Sequence, residues 1–442
     1  MPIVTHLLHI GSMKEQRAKA DDLRRNGRFE EAAHEYAALW PDGDRWTGWG
    51  YAHCLRKLGR TSEALGVARE VQALAPDFRF GRSVYAWALY DQTRGTDILE
   101  PQHFAAAKTI VDLMTSDEHA YTSTTPYVVT VLRVAEAWSD RRRDVRALEW
   151  LDKLDPTRLS TEPRSQSDET GRTRELASAR ERYYSVRTRA LERLDRWKDC
   201  LDVANRGLVE CHPLHHDNDI WFRRRIALAK LHMGHPQDAL ADLEQLAARK
   251  PVSFIQTDIA EAAWAAGDIE RTYKHALQAL QAPGEIHFKL GAVQLLARVL
   301  WHRREPDLAR LHLALCLAVR GTMGWKPSDD LTTLGAQWSV DQAHRDPTTI
   351  LKELRSLWQR WNEELTPRRV GTVVRMFPHG RAGFIRSDDR QEFFFDARDC
   401  KSPRFQPAEG TRVTFITRPG FDRKRQRSTI VACDVRTVLS AS

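Results

Sequence analysis

Cysteine and long apolar runs are scarce in this sequence. Its 442 residues include six cysteines (Cys54, Cys200, Cys211, Cys316, Cys400 and Cys433) and no Cys-x-x-Cys pair. This pattern favours reduced thiols in a cytoplasmic protein over a disulfide framework or a cysteine zinc site. No apolar run reaches the roughly 18 residues of a membrane-spanning helix. The opening segment MPIVTHLLHIGSMKEQ lacks the basic start of a signal peptide.

Motifs of common enzyme classes are also missing. The sequence has no phosphate-binding glycine loop, nucleophile elbow or HExxH pattern. One cluster, CHPLHHDND, holds potential metal ligands at Cys211, His212, His215, His216, Asp217 and Asp219. In a turn between helices such a cluster is more typical of a solvated loop. We therefore expect no enzyme, no cofactor and no metal site, and an enzymatic role for this loop is the last alternative.

The positive charge is confined to one end of the chain. The whole sequence has 68 Lys and Arg against 60 Asp and Glu, whereas residues 367–442 have 16 against 8. Residues 1–366 are therefore balanced, and the last sixth of the chain carries the net charge of +8. A basic module on a neutral body is typical of nucleic-acid contact. A solubilising basic tail is the alternative.

Residues 1–365 have the pattern of an α-helical array. Ala, Leu, Arg and Glu dominate, and apolar residues recur every three or four positions. Four segments repeat a Gly turn before an Ala-anchored helix: GRFEEAAHEYAALWP, LGRTSEALGVAREVQALAP, MGHPQDALADLEQLAARKP and AAGDIERTYKHALQALQAP. Ala32 and Ala64 are 32 residues apart, and Ala239 and Thr272 are 33 apart. These segments resemble tetratricopeptide repeats, whose period is about 34 residues. The resemblance predicts seven or eight helix pairs; an unrelated helical array is the alternative.

The pattern predicts five consecutive parts. They are helical repeats over 1–156, a polar loop or hinge over 157–175, further helical repeats over 176–346, a capping helix and linker over 347–366, and a barrel over 367–438. The loop TRLSTEPRSQSDETGRTRE is polar and rich in turn-forming residues. The helix PTTILKELRSLWQRWNEEL has one apolar face, which suits a helix that caps a repeat array.

Stacked repeats present an extended concave surface. The resemblance implies that this surface holds a peptide or partner protein, whose identity the sequence leaves open. Aromatic residues available to line it are Trp46, Trp49, Trp87, Tyr90, Tyr183, Tyr184, Trp221, Phe222 and Trp264. Aromatics at such positions are more often packed between helices.

The periodicity changes after Arg369. Five short segments alternate or are rich in Val and Phe: VGTVVRMF, AGFIRS, QEFFFDARD, RVTFITR and STIVACDVRTV. Five short strands separated by turns predict a small barrel. In their order these segments resemble a cold-shock domain, with GRAGFI at its first ribonucleoprotein motif and EFFFDARD at its second. The predicted fold class is therefore multidomain: an all-α tetratricopeptide-like solenoid followed by an all-β five-stranded oligonucleotide-binding barrel.

The cold-shock resemblance implies a face of aromatic side chains on which bases stack. Phe384 and Phe394 match two of its positions, whereas Ala382 replaces an aromatic residue and Asp396 replaces the usual His. The tryptophan of the opening strand is missing, and Phe377 substitutes for it only if that strand contains a one-residue bulge. Strand alternation predicts that the rings of Phe393 and Phe395 point inward and that Phe394 points outward.

Basic residues near these motifs complete the predicted site. The segment RPGFDRKRQR would place its basic residues in one loop with Phe421 at the tip. Each would contribute a salt-dependent phosphate contact. The predicted nucleic-acid-binding residues are Arg375, Phe377, Arg381, Phe384, Arg386, Phe394, Arg418, Phe421, Arg423, Lys424, Arg425 and Arg427.

These features predict an adaptor without enzymatic activity. Its barrel would bind single-stranded RNA or DNA with low sequence specificity, its helices would bind a protein, and no membrane would be involved. One alternative is a protein-interaction scaffold whose barrel no longer binds nucleic acid, as Ala382 and Asp396 suggest. Another is an accessory subunit of a bacterial stress or defence system.

Overall fold

The computed structural model describes residues 2–114, 125–167, 171–340, 346–365, 367–378, 380–400, 408–422 and 427–438. A helical region is followed by a closed five-stranded β-barrel, which confirms the predicted fold class at this level. Internal contacts divide the chain into two compact units, residues 1–246 and 247–442. None of the described helices is both long and apolar enough to cross a membrane.

Eighteen α-helices occur in the described residues. The first twelve are α1 Pro2–Arg25, α2 Phe29–Leu39, α3 Arg45–Lys57, α4 Thr61–Leu74, α5 Arg79–Gln92, α6 Pro101–Met114, α7 Pro126–Asp140, α8 Asp144–Leu151, α9 Ala179–Arg193, α10 Trp197–Glu210, α11 Asn218–His232 and α12 Pro236–Arg249. The other six are α13 Ser253–Ala265, α14 Ile269–Gln281, α15 Leu290–His302, α16 Pro306–Thr322, α17 Asp329–Gln337 and α18 Pro347–Leu365.

The first sixteen helices follow one another as eight pairs, from α1 and α2 to α15 and α16, as the repeat spacing predicted. A residue with positive φ stands in the tight turn of seven pairs: Gly27, Gly59, Arg142, Asp195, Gly234, Gly267 and Arg304. Glycine adopts this conformation without strain. The three pairs that use Arg or Asp there were harder to recognise from sequence for that reason.

Small residues hold the two helices of a pair together. The predicted anchors Ala32, Ala64, Ala239 and Thr272 are fully buried. The first helices of consecutive pairs also touch, since α3 contacts α5 and α5 contacts α7 within the first unit. Within each unit, consecutive pairs therefore pack on one another, as expected for stacked helical repeats.

Residues 157–175 require a correction. A polar loop or hinge was expected there, but two short antiparallel strands, β1 Arg164–Ser167 and β2 Thr173–Leu176, form a hairpin. One hydrophobic core contains Leu159 from before the hairpin and Tyr184 from after it. The segment therefore does not separate two cores, because its ends are held by the same packed helices.

The helix α18 covers the end of the repeats in the second unit. Ile350, Leu354 and Trp358 are buried against α14 and α16, which confirms the predicted apolar face. The indole Nε1 of Trp358 donates to Nε2 of the buried His312 at 2.8 Å. Because indole only donates, Nε2 of His312 is unprotonated and accepts this bond. The ring proton is therefore on Nδ1, which donates to the Leu308 carbonyl oxygen at 2.7 Å.

The barrel consists of β3 Arg369–Met376, β4 Ala382–Ser387, β5 Glu392–Asp396, β6 Arg412–Asp422 and β7 Arg427–Thr437. The strand order is β3-β4-β5-β7-β6, and β3 also pairs with β6 to close the barrel. The pairs are antiparallel except for β5 and β7, which are parallel. Its core contains Val373, Ile385, Phe393, Phe395, Val413, Phe415, Ala432 and Val435.

Candidate nucleic-acid interface

The first strand of the barrel contains the bulge on which the position of Phe377 depends. Val373 pairs with Ile385, but Arg375 pairs with Phe384, so Val374 is an extra residue in β3. A bulge reverses the alternation of the residues that follow it. Arg375 and Phe377 therefore lie on the outer face, and Met376 turns toward the core.

Close backbone packing accompanies this bulge. Gly383 on β4 lies opposite Met376. A Cβ added at Gly383 would lie 2.5 Å from the Arg375 carbonyl oxygen and 2.7 Å from the Met376 Sδ. Only glycine fits here, which gives the glycine of the GRAGFI motif a structural role.

Three phenylalanine rings meet on the outer face of β3, β4 and β5. Phe384 is paired with Phe394 across the strands, and their ring centroids are 5.9 Å apart. The Phe377 ring lies 5.8 Å from Phe384 and 6.4 Å from Phe394. Phe394 is 37% exposed, whereas Phe393 and Phe395 are buried, as strand alternation predicted. We call Phe377, Phe384 and Phe394 the ring face.

The replacement of an aromatic residue by Ala382 is partly compensated by Phe377. The Phe377 N–H donates to the Ala382 carbonyl oxygen at 2.9 Å, so the two residues lie side by side on β3 and β4. Ala382 has only 7% of its surface exposed although it alternates with the inward Gly383. A small residue here leaves room for the neighbouring ring, and the face keeps three rings.

Arg375 adds positive charge directly to the ring face. Its guanidinium carbon lies 4.7 Å from the Phe384 ring centroid and 5.8 Å from that of Phe377. Arg375 is exposed, and the described residues include no carboxylate that forms an ion pair with it. An arginine held over rings in this way can stack on a base or contact a phosphate.

Arg386 is less available than the sequence predicted. Its Nη2 donates to the Glu392 carboxylate at 2.6 Å across the β4–β5 pair. Both side chains are about half exposed, so the pair contributes little to stability. It does neutralise one of the charges that were predicted to contact phosphate. Sequence reasoning missed Glu392, although the strand register would have placed it opposite Arg386.

Asp396, at the edge of the ring face, is another carboxylate that is paired with an arginine. The side chain and backbone N–H of Arg398 donate to its carboxylate at 2.8–3.0 Å. These hydrogen bonds lower the pKa of Asp396 to about 2, and the charge of Arg418 acts in the same direction. Asp396 is therefore ionised at neutral pH, where the usual histidine would be neutral or positive.

The predicted basic loop needs a second correction. Phe421 and Arg427 belong to β6 and β7, where Phe421 pairs with Ser428 and Asp422 pairs with Arg427. The strands extend further than expected because the ladder continues past Arg418. Arg423, Lys424 and Arg425 lie outside the described residues. Arg381 is exposed next to β4, and its carbonyl oxygen accepts from the Ala397 N–H at 2.9 Å.

Residues of the histidine-rich cluster form hydrogen bonds with a buried carboxylate in the first unit. The buried Glu181 carboxylate accepts from the His215 backbone N–H at 2.6 Å and from Asn218 at 2.8 Å. The Nδ1 atom of His215 lies 2.8 Å from the same carboxylate. Over the described residues, no group of three or more His, Cys, Asp or Glu side chains is close enough together to hold a metal ion.

Comparisons with known proteins give only weak similarities. No family model matches the chain, and no curated protein matches it. A tetratricopeptide repeat protein from Parabacteroides merdae is 12% identical, with 65% of this chain and 99% of that one covered and a TM-score of 0.31. The C-terminal part of a TPR repeat-containing protein from Cytophaga hutchinsonii is 13% identical, with 72% and 98% covered and a TM-score of 0.33.

A third solved structure, the human IFIT1 dimer with PPP-AAAA, is 12% identical. The similarity covers 79% of this chain and 78% of that one, with a TM-score of 0.36. All three TM-scores lie below 0.5, so these similarities assign the chain neither to a family nor to a function.

Proposed function

We propose that the C-terminal barrel binds single-stranded nucleic acid and that the helical repeats bind a protein partner, so that the chain is an adaptor without catalytic activity. The observation that carries the proposal is the ring face with Arg375 above it. Partly exposed rings beside an arginine are suited to stacking on unpaired bases, and every base has a flat face that can stack. We expect low sequence specificity for that reason.

The topology supports the same proposal. A five-stranded Greek-key barrel that presents its second and third strands to ligand is the arrangement of oligonucleotide-binding folds. Here the second and third strands of the barrel are β4 and β5, which carry Phe384 and Phe394. The order of the cold-shock-like motifs along the chain agrees with that arrangement.

Magnitudes indicate how the binding energy is divided. Three stacks at about 1–3 kcal/mol each give roughly 3–9 kcal/mol. Association itself costs at least about 4 kcal/mol. The rings alone therefore leave little net affinity, and phosphate contacts from the basic residues must supply the rest. Such contacts weaken as the salt concentration rises, because the release of counterions from the strand becomes less favourable. We therefore expect modest and strongly salt-dependent binding.

Fluorescence anisotropy of the full chain tests this proposal. Labelled RNA and DNA strands of one sequence would be titrated over a range of salt concentrations, with the corresponding duplexes as controls. We expect both single strands to bind at low salt, more tightly than the duplexes, with an affinity that falls steadily as salt rises. Absence of binding at low salt, or binding indifferent to salt, contradicts the proposal.

A second candidate function is a scaffold whose barrel contacts only protein. The two carboxylates at the ring face, Glu392 and Asp396, favour it because they pair with Arg386 and Arg398 and so remove positive charge that phosphate would need. Affinity capture before and after nuclease treatment distinguishes the two functions. A scaffold keeps all its partners after nuclease, whereas an adaptor loses those that are held through nucleic acid.

A further inference from the structure

A second group of exposed rings lies in the first unit, far from the barrel in sequence. Trp46 on α3 and Phe80 on α5 are each 39% exposed, and their ring centroids are 5.3 Å apart. Trp49 lies 6.0 Å from Trp46 and 5.7 Å from Phe80. Phe78 packs beneath them, 4.7 Å from Trp46. We call these four rings the α3–α5 cluster.

The packing of α3 explains why these rings face outward. Gly48 and Gly50 lie on the buried side of the helix, where an added Cβ would collide with the rings of Trp40 and Tyr36. The core side of α3 is therefore already filled by side chains of the preceding helix pair. Trp46 and Trp49 lie three residues apart and occupy the other side.

Arginines surround this cluster. The guanidinium of Arg79 lies 4.9 Å from the Phe80 centroid, that of Arg45 lies 5.2 Å from Phe78, and that of Arg24 lies 4.6 Å from Trp49. Arg45 and Arg79 are exposed, and neither forms an ion pair with a carboxylate of the described residues. The nearby Asp44 is already held by Arg17 at 2.8 Å and by the first turn of α3.

Several other arginines of the first unit are paired with carboxylates instead. Arg182, Arg187 and Arg225 each form an ion pair with a carboxylate of another helix or its end. Such pairs cancel their own charge and serve packing. Arg45 and Arg79 leave their charge uncancelled beside exposed rings, which is the arrangement also found at the ring face of the barrel.

We propose that the α3–α5 cluster is a second binding site for single-stranded nucleic acid, separate from the barrel. Each nucleotide of a single strand presents a flat base and a phosphate, and each of the two helices presents an exposed ring and an uncancelled guanidinium. Bases would stack on Trp46 and Phe80, and phosphates would contact Arg45 and Arg79. An acidic peptide would use the arginines but would leave the two rings without flat partners.

A partly buried histidine, His53, lies beside the cluster. Burial, together with the positive charges of Arg24, Lys57 and Arg56, lowers the pKa of His53 to about 4. His53 lies 5.9 Å from Trp49, next to the cluster. Arg24 and Arg56 are paired with Asp21 and Asp91, so the uncancelled charge at the cluster comes from Arg45 and Arg79. The site does not depend on whether the barrel binds, so each is open to a separate test.

Photocrosslinking of the full chain locates the binding sites directly. RNA containing 4-thiouridine would be irradiated in the complex, and mass spectrometry would identify the crosslinked peptides. We expect crosslinks in the peptides that carry Trp46 or Phe80. Crosslinks there but not in the barrel support this site and contradict the proposed function of the barrel. Crosslinks confined to the barrel overturn this site alone.

Charge variants supply the quantitative test. Each phosphate contact contributes about 0.7 to the slope of log affinity against log salt for a single strand, so Arg45→Gln/Arg79→Gln should reduce that slope by about 1.4. The control Arg69→Gln/Lys198→Gln removes the same charge from exposed positions on α4 and α10. Equal slopes for the two double variants overturn the site. A poly-glutamate chain that displaces the RNA at equal charge concentration also overturns it, in favour of an acidic protein partner.

Discussion

Arginine is abundant in both the helical repeats and the barrel and pairs with carboxylates in both, but Arg225 and Arg375 show two different uses of it. In the first unit Arg225 is 5% exposed and bonds the Glu192 carboxylate at 2.8 Å. Its Nη1 atom also donates to Thr188 at 3.3 Å. In the barrel Arg375 is exposed and lies over Phe384 instead. The first arginine joins two helices, whereas the second leaves its charge exposed on the ring face.

The difference shows why the position of charge is more informative than its amount. Residues 1–366 contain 52 Lys and Arg, the difference between 68 in the chain and 16 in residues 367–442, yet their acidic residues are equally numerous. Many of these arginines are paired between helices, as Arg182 is with Glu136. Arg45 and Arg79 form no ion pair with a carboxylate of the described residues, and they lie beside exposed rings as Arg375 does. Uncancelled arginines next to rings therefore mark the two candidate binding surfaces.

The largest expected effect concerns the ion pairs between helices α9 and α11 at Glu192. Arg224→Met/Arg225→Met should lower the free energy of unfolding of the first unit by roughly 3–5 kcal/mol, because the largely buried Glu192 carboxylate loses its arginine partners Arg224 and Arg225. Urea denaturation followed by circular dichroism measures this change. Arg196→Gln breaks an exposed pair with Asp199 and should cost less than about 1 kcal/mol. Equal losses in the two variants would show that the buried pairs have no special role.

Acid should destabilise the second unit through His312. Burial lowers its pKa to about 4, below the ordinary 6.5, so the unfolded chain takes up a proton that the folded chain excludes. Stability is therefore full above about pH 6.5 and falls by roughly 3 kcal/mol as pH drops toward 4. Histidines 53 and 275 share this direction.

The variant His312→Gln isolates that contribution, because glutamine does not titrate but still accepts from Trp358. Unfolding free energies of the native chain and the variant should converge as pH falls across this range. Parallel pH curves would assign the acid sensitivity to other groups.

A ring exchange sharpens the description of the barrel. Phe377→Ala should weaken single-strand binding by about one stack, or 1–3 kcal/mol. Ala382→Phe alone should also weaken it, since the new ring competes with Phe377 for one space. Combining the two changes moves the third ring from β3 to β4 and should restore affinity to within about threefold of native. Additive losses in the combined variant would show that the two positions do not share that space.

The smallest expected effect concerns the ion pair beside the ring face. Glu392→Gln releases Arg386, which should steepen the salt dependence of binding by about 0.7 for one added phosphate contact. Asp389→Asn makes the same charge change in the β4–β5 turn, where the carboxylate is paired with Arg369. The salt titration of anisotropy compares the two. A matching change in both variants would reduce the effect to net charge.

Much of this fold followed from local sequence signals. Helix pairs with Gly27 or Gly59 in the turn can be recognised from the sequence, because the left-handed backbone conformation of that turn favours glycine. The turn at Arg142 carries no such signal, since an ordinary residue is held in that conformation by the packed helices on both sides. The β1–β2 hairpin was missed because its strands are polar and lack an apolar alternation.

Only part of the candidate site could be predicted from the sequence. The inward and outward phenylalanines of β5 follow from simple alternation. The bulge at Val374 could not be predicted from the sequence, because it depends on the register in which β3 pairs with β4. Pairs such as Arg386 with Glu392 depend on cross-strand register, and the α3–α5 cluster depends on which helix faces remain uncovered.

The most direct test of the barrel as a single-strand binding site removes two of its rings in the full chain. Phe384→Ala/Phe394→Ala should weaken single-strand binding by roughly 2–6 kcal/mol at low salt, at least about thirtyfold, with unchanged circular dichroism. The control Phe288→Ala removes a ring that is 77% exposed in the helical part and should bind as the native chain does. If the double variant and the control bind within about twofold of each other, the ring face does not bind nucleic acid.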